Sequence, residues 1–197
     1  IENYQKKIQK TKEKNELNFL KNNKLLIIEN PFNQKDQNYE GSIVFINFID
    51  YKCFYCRKAN KDINELLESY KDIYYVVKEL PILGNESVLA SKMALSVLIN
   101  QGPETYKKLQ QKLLKFNGEF TKKNIKNIIK QIDAVYDEEI ANKYEEKIEL
   151  HLKNNFLIAN KLGISGTPTY IIENEIIKGY VKKVKLEETI RKYIKIN

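Results

Sequence analysis

The sequence predicts an α/β architecture, a small sheet domain interrupted by a block of helices, on three observations. A nearly continuous apolar run at residues 42–49 (SIVFINFI) leads straight into a Cys-x-x-Cys pair, Cys53 to Cys56, at the start of a helical pattern. Strand character returns at 73–77, and a strand, helix, strand order implies a parallel pair with a right-handed crossover. A long stretch of helical periodicity, 85–162, then separates this unit from a last strand pair within 169–178.

Residues 1–23 are polar and charged, with apolar positions at Ile1, Tyr4, Ile8, Leu17, Phe19 and Leu20. That is a weak amphipathic pattern, and an isolated helix of this length is marginal in water. It reads either as a loosely docked helical leader or as an oligomerisation helix. Residues 25–29 read as a short strand closed by Asn30-Pro31, with a polar loop to Gly41. The run 42–49 is rich in β-branched and aromatic residues, the pattern of a strand covered on both faces.

From Cys53 the period changes. Ala59, Ile63, Leu66, Leu67 and Tyr70 recur three and four apart, so a helix starts at or near Cys53. Residues 78–81 (KELP) end the next strand. Leu89, Met93 and Val97 mark a helix that Gly102-Pro103 stops, and a second runs from Glu104 to the break at Gly118. Thr121 caps a third, striped by Ile125, Ile128, Ile129 and Ile132, and Asp137 caps a fourth that reaches Gly163 with room for an internal break. Residues 169–172 and 175–178 flank Glu173-Asn174, a hairpin turn in which Asn suits positive φ. A final helix covers 185–195.

The net charge of +8 comes from 34 basic and 26 acidic residues. Lysines alternate with Glu and Asp along most segments, which marks solvated faces and argues against a nucleic-acid partner. No apolar run approaches the roughly 18 residues of a membrane span. The chain opens on Ile1 rather than Met, which reads as a start after a removed segment, either a processed signal peptide or an arbitrary boundary; the first reading makes the protein periplasmic or otherwise exported. Its only two cysteines are three apart, an economy suited to an oxidising compartment.

A thiolate is the nucleophile of thiol-disulfide exchange. First-turn N–H groups and the helix dipole stabilise one at a helix N-terminus, where Cys53 stands, and Cys56 lies one turn on, within reach to form or resolve a disulfide. Zinc would need about four ligands, and one His, His151, is all that accompanies the pair. A two-thiolate Cu(I) site is chemically open. A merely structural disulfide closing so short a loop would stabilise little. His151 has nothing chelating or catalytic beside it, and Asp50 caps or supports the turn before the motif.

Residues 48–56 (FIDYKCFYC), 78–84 (KELPILG) and 163–169 (GISGTPT) together resemble the DsbA-like branch of the thioredoxin superfamily, closest in flavour to its ScsC-like and DsbG-like exported members, which share the threonine before the proline. The resemblance covers roughly 24–197. It implies a thioredoxin fold formed by 24–84 and 163–197, a helical-bundle insertion at 85–162 and an N-terminal helical extension at 1–23. It further implies that Pro168 is a cis-proline facing the cysteines, with Thr167 offering its backbone to a substrate strand, and that Phe54 and Tyr55 form an apolar contact rim and tune the potential. No cofactor beyond the redox-active Cys53-Cys56 disulfide is implied. The partners implied are unfolded exported polypeptides and a membrane thiol-redox protein that regenerates the pair, with homo-oligomerisation through 1–23 a further option.

Two departures matter. The family commonly has an acidic residue six positions before the first Cys, where this chain has Asn47, so a proton-transfer role falls to water or to a neighbour such as Glu79. No His lies inside the motif to stabilise the thiolate, so a mild oxidant is expected. Oxidase and isomerase directions both remain open, as does a polypeptide-binding chaperone or Cu(I) carrier that uses the same cysteines.

Overall fold

The computed structural model describes residues 2–29 and 41–194. The expected Asn30-Pro31 break, most of the polar loop behind it and residue 195 lie outside the described residues; the final helix, expected over 185–195, is observed as Lys183–Arg191, with 192–194 in a turn.

Four strands form one sheet in the order β2, β1, β3, β4: β1 is Ile43–Ile49, β2 Ile73–Glu79, β3 Thr169–Ile172 and β4 Glu175–Lys178. β1 runs parallel to β2, with Ile43 opposite Ile73 and Ile49 opposite Glu79, and antiparallel to β3. Its position inside the sheet explains its composition. Phe45 points into a cluster with Ala59, Ile63 and Leu66 of helix α3 (Phe54–Ser69) and with Leu186 and Ile190 of α8 (Lys183–Arg191). Ile46 and Phe48 point the other way, onto Leu20 of α1 (Glu2–Asn22), Ile27 of α2 (Lys24–Ile28), and Ile158 and Ala159 of α7 (Glu145–Lys161). Burial of each such side chain contributes about 1.5–3 kcal/mol, and both faces of β1 draw on that term.

A third cluster joins the end of β1 to the helices between β2 and β3. Ile49, Tyr51, Cys53 and Cys56 pack with Ala90, Met93, Leu109 and Leu113 of α4 (Asn85–Lys115), with Ile125 and Ile129 of α5 (Lys122–Lys130), and with Ile148 and Leu152 of α7. Gly102 (φ 85, ψ 175) breaks α4 where the Gly-Pro pair predicts a stop, and Tyr144 separates α6 (Glu138–Lys143) from α7. The Thr121 hydroxyl and the Asp137 carboxylate accept from first-turn N–H groups as N-caps. Past the end of α7, Gly163 (φ 60) closes a Schellman turn, with Gly163 N donating to Asn160 O and Ile164 N to Ala159 O.

Three expectations need correction. Residues 25–29 are not a strand: Lys24–Ile28 is a helical turn, closed by Ile27 N to Asn23 O and Glu29 N to Leu25 O. Only Ile27 of its apolar run is buried, while Leu25 is 85% exposed, and so short an apolar run carries no period that separates helix from strand. Strand β2 continues beyond 77 to Glu79, which buries Lys78 and Glu79. In the β3–β4 turn the positive φ (52°) falls on Glu173 rather than on Asn174. Glu173 is held there because its amide donates to Val44 O, its carboxylate accepts from Val44 N at 2.6 Å, and Lys24 pairs with it.

Candidate active site

β1 delivers the chain to the N-terminus of α3 through a turn in which Cys53 N donates to Asp50 O at 3.0 Å. Cys53 is the N-cap residue itself, and its sulfur accepts from Cys56 N at 3.3 Å. On its other side the sulfur meets the loop before β3, 3.1 Å from Thr167 O, to which it donates in its protonated form. The Thr167–Pro168 bond is cis. That loop is tied down twice: Thr169 Oγ1 donates to Gly166 O at 2.8 Å, and Gly179 N donates to Pro168 O at 3.0 Å. Cys53 and Cys56 are both free thiols, 6% and 3% exposed.

The two sulfurs are electrostatically unlike. The Cys53 thiol is lowered to about 6, chiefly by the Cys56 thiol hydrogen-bonding to it, against the opposing effect of burial and with further help from the Thr167 side chain and the N–H groups of Cys56 and Tyr55. Cys56 is pushed far up, first by burial and then by its proximity to Cys53. Near neutral pH the outer sulfur is therefore an anion and the inner one keeps its proton. This is the division a nucleophile and a resolving thiol require.

Phe54 and Tyr55 are 64% and 53% exposed at the start of α3 and meet edge to face, with ring centroids 5.4 Å apart. Tyr180 extends this rim. Its ring stacks on Tyr55 at 5.9 Å with Lys58 Nζ 4.9 Å above it, and its hydroxyl donates to Asp62 Oδ2 at 3.4 Å. Sequence reasoning passes over Tyr180, which lies in an aperiodic segment after β4. The link that brings it to the cysteines is the Gly179 hydrogen bond to Pro168, which no local pattern announces.

Asn47 and Glu79, the residues considered for proton transfer, make their side-chain hydrogen bonds to tyrosines. Asn47 is buried on β1 and donates to Tyr75 OH at 2.8 Å, and its Oδ1 has no partner among the described residues. Glu79 is buried at the end of β2, where the hydroxyls of Tyr106 and Tyr51 both donate to its Oε1. Its Oε2 has no partner among the described residues, and burial, only partly opposed by the Tyr106 hydroxyl, lifts the carboxyl to about 7. His151 is buried on α7. It is 8% exposed, its Nε2 lies 3.3 Å from Asn155 Nδ2, and burial and then Lys78 lower it to about 3. Asp50, expected to support the turn, receives four hydrogen bonds on its carboxylate.

Among the described residues no group of three or more His, Cys, Asp or Glu side chains is placed to hold a metal ion, and no helix is long and apolar enough to cross a membrane. The family model described as thioredoxin matches residues 38–195. No curated protein matches the chain. Among solved structures, the thiol-disulfide exchange protein alpha-DsbA2 from Wolbachia pipientis is 28% identical with a TM-score of 0.80, over 90% of this chain and 95% of its own. A periplasmic thioredoxin-like protein from Salmonella enterica serovar Typhimurium is 27% identical with a TM-score of 0.74, over 84% and 92%. The catalytic domain of Proteus mirabilis ScsC, at 23% identity and a TM-score of 0.78 over 89% and 97%, shares the fold.

Proposed function

Because the chain belongs to the thioredoxin family, we propose that it is a thiol-disulfide oxidoreductase of exported polypeptides, working in the oxidising direction through Cys53 and Cys56. The observation that carries this reading is the Cys53 sulfur on the N-terminus of α3 with a pKa near 6, above a buried Cys56 that holds its proton. A stabilised thiolate favours the reduced pair over the disulfide, so the disulfide is the more readily given away. The absence of His from the motif keeps this effect moderate.

In the proposed cycle a substrate thiolate attacks the Cys53 sulfur of the protein disulfide. The Cys53–Cys56 bond breaks, its electron pair goes to Cys56, and Cys56 takes a proton. A second substrate thiolate then attacks the substrate sulfur of the mixed disulfide and releases Cys53 as the thiolate. The substrate loses two electrons and two protons, and the protein pair gains the electrons. A membrane thiol-redox protein would take those electrons to restore the disulfide. Phe54, Tyr55 and the segment Thr167–Pro168 would hold the substrate strand, and Glu79 would exchange protons with the buried interior in the place that Asn47 leaves unfilled. Self-association through residues 1–23 belongs to the same reading and is supported by Tyr4 and Ile8, exposed one turn apart on α1.

Reoxidation of a reduced, unfolded substrate protein tests the proposal. The oxidised chain should accelerate it, Cys53→Ser should abolish the effect, and Cys56→Ala loaded with an activated substrate disulfide should accumulate a mixed disulfide on Cys53. Absence of both acceleration and mixed disulfide would refute the reading.

A further inference from the structure

Asp50 is fully buried, and each of its carboxylate oxygens accepts two hydrogen bonds. Oδ1 takes Lys52 N at 2.8 Å and Ser87 Oγ at 2.7 Å, and Oδ2 takes Ile82 N at 2.8 Å and Leu83 N at 3.0 Å. These donors come from three separate places: the turn into Cys53, the loop after β2, and the first turn of α4. A carboxylate taken out of water is costly unless its lone pairs are met, and here four donors meet them. None of the ion pairs among the described residues involves Asp50, so its charge is balanced by N–H and O–H dipoles alone. Lys52, next to it in sequence, sends its ammonium to Glu86 instead.

The backbone of Asp50 also belongs to the reactive turn, since its carbonyl accepts from Cys53 N. One residue thus grips the turn by its main chain and, by its side chain, clamps that turn to the loop and helix that begin the inserted block. Resting on the exchange reaction proposed above, we propose that Asp50 is a positioning residue. Its carboxylate fixes the turn so that the Cys53 sulfur stays on the N-terminus of α3 while α4 is locked against it.

Asp50→Asn gives a test with a sign in it. The amide retains one acceptor oxygen but turns an NH2 toward at least one backbone N–H that cannot accept, because only Ser87 Oγ among the four partners can reverse its role, so at least one clamp opens. If Asp50 positions the turn, the Cys53 sulfur moves off its N–H donors, and the titration midpoint of its thiolate absorbance rises from about 6. A rise of one unit corresponds to roughly tenfold less thiolate on the acid side of the midpoint, read also as slower alkylation. If Asp50 acted only through its charge, removing a nearby anion would favour the thiolate and the midpoint would fall.

Ser87→Ala removes a single donor without adding one. It should move the midpoint in the same upward direction by a smaller amount, and it decides the matter where Asp50→Asn fails to fold. A lower thermal midpoint with an unmoved thiolate titration in the folded variants, or a downward shift, would overturn the proposal. Failure of the parent chain to exchange disulfides at all would instead remove the proposed function, and the titration would still report on the positioning role.

Discussion

The Cys53 sulfur lies 3.1 Å from the carbonyl oxygen of Thr167, a residue 114 positions further along the chain. That contact joins the N-terminus of α3 to the loop before β3 and makes one site of two distant motifs. The Thr167 side chain also helps hold the Cys53 thiol low, after the larger contribution of the Cys56 thiol. Thr167→Val keeps the β-branched shape and the carbonyl but deletes the hydroxyl. The Cys53 titration should then shift upward from about 6 by up to roughly one unit, because a hydrogen bond to a charged group is worth about 1.5–3 kcal/mol before compensation. Iodoacetamide reactivity of the reduced protein against pH reads the shift, and an unchanged midpoint would assign the hydroxyl no part in thiolate stabilisation.

Much of this was legible in the sequence because it rests on local periodicity. The run 42–49 announces a doubly covered strand, the Cys53 spacing announces a helix start, and Gly102-Pro103 marks the break in α4. What was hidden depends on contacts between distant segments. Leu25 to Ile28 could not be read as helix because four apolar residues fit either period, and the choice is made by packing of Ile27 on Ile46 and Phe48. His151 looks like a surface residue among charges, yet the turn of α7 that carries it faces β2, and Asn155 one turn on donates to Glu79 O. The position of Asp50 before the motif marks it as a turn support. Its partners at Ile82, Leu83 and Ser87 were out of reach because they lie across the β1–α3–β2 crossover.

Glu79 gives the fold a pH dependence of definite sign. Its carboxyl rises from an ordinary 4.5 to about 7 in the folded chain, mainly through burial. Between these values the unfolded chain has lost the proton and the folded chain retains it, so stability falls as pH rises from about 4.5 through about 7 and then levels off. Glu79→Gln keeps an acceptor for Tyr51 and Tyr106 and removes the ionisation. Denaturant unfolding at pH 8 should therefore show the variant more stable than the parent, by an upper bound of roughly 3 kcal/mol, with the advantage vanishing near pH 4. If Glu79 also exchanges protons during the reaction, the pH profile of mixed-disulfide resolution loses an inflection near 7 in the same variant.

The docking of α1 turns on Gly163. Glu16, 6% exposed, pairs with Lys178 Nζ at 2.8 Å, and its Oε1, which has no hydrogen-bond partner among the described residues, stands 1.9 Å from where a Gly163 Cβ would be. Gly163 also has φ +60 in the Schellman turn that leads toward Thr167. Gly163→Ala thus meets two costs: the left-handed backbone, about 1–2 kcal/mol for a residue with a Cβ, and displacement of Glu16 from its contact with Lys178. The end of the Glu16 side chain can swing away, so the chain should still fold, with α1 held by Leu20 but without its ion pair. Stability should drop by roughly 2 kcal/mol, and α1 amides should exchange hydrogen faster than those of β1. Light scattering on the same samples carries the argument to the proposed self-association. A helix that has lost its ion pair to the body but still presents Tyr4 and Ile8 should associate as the parent does, whereas loss of association in the folded variant would mean that the exact docking of α1, and not its exposed apolar face alone, builds the interface.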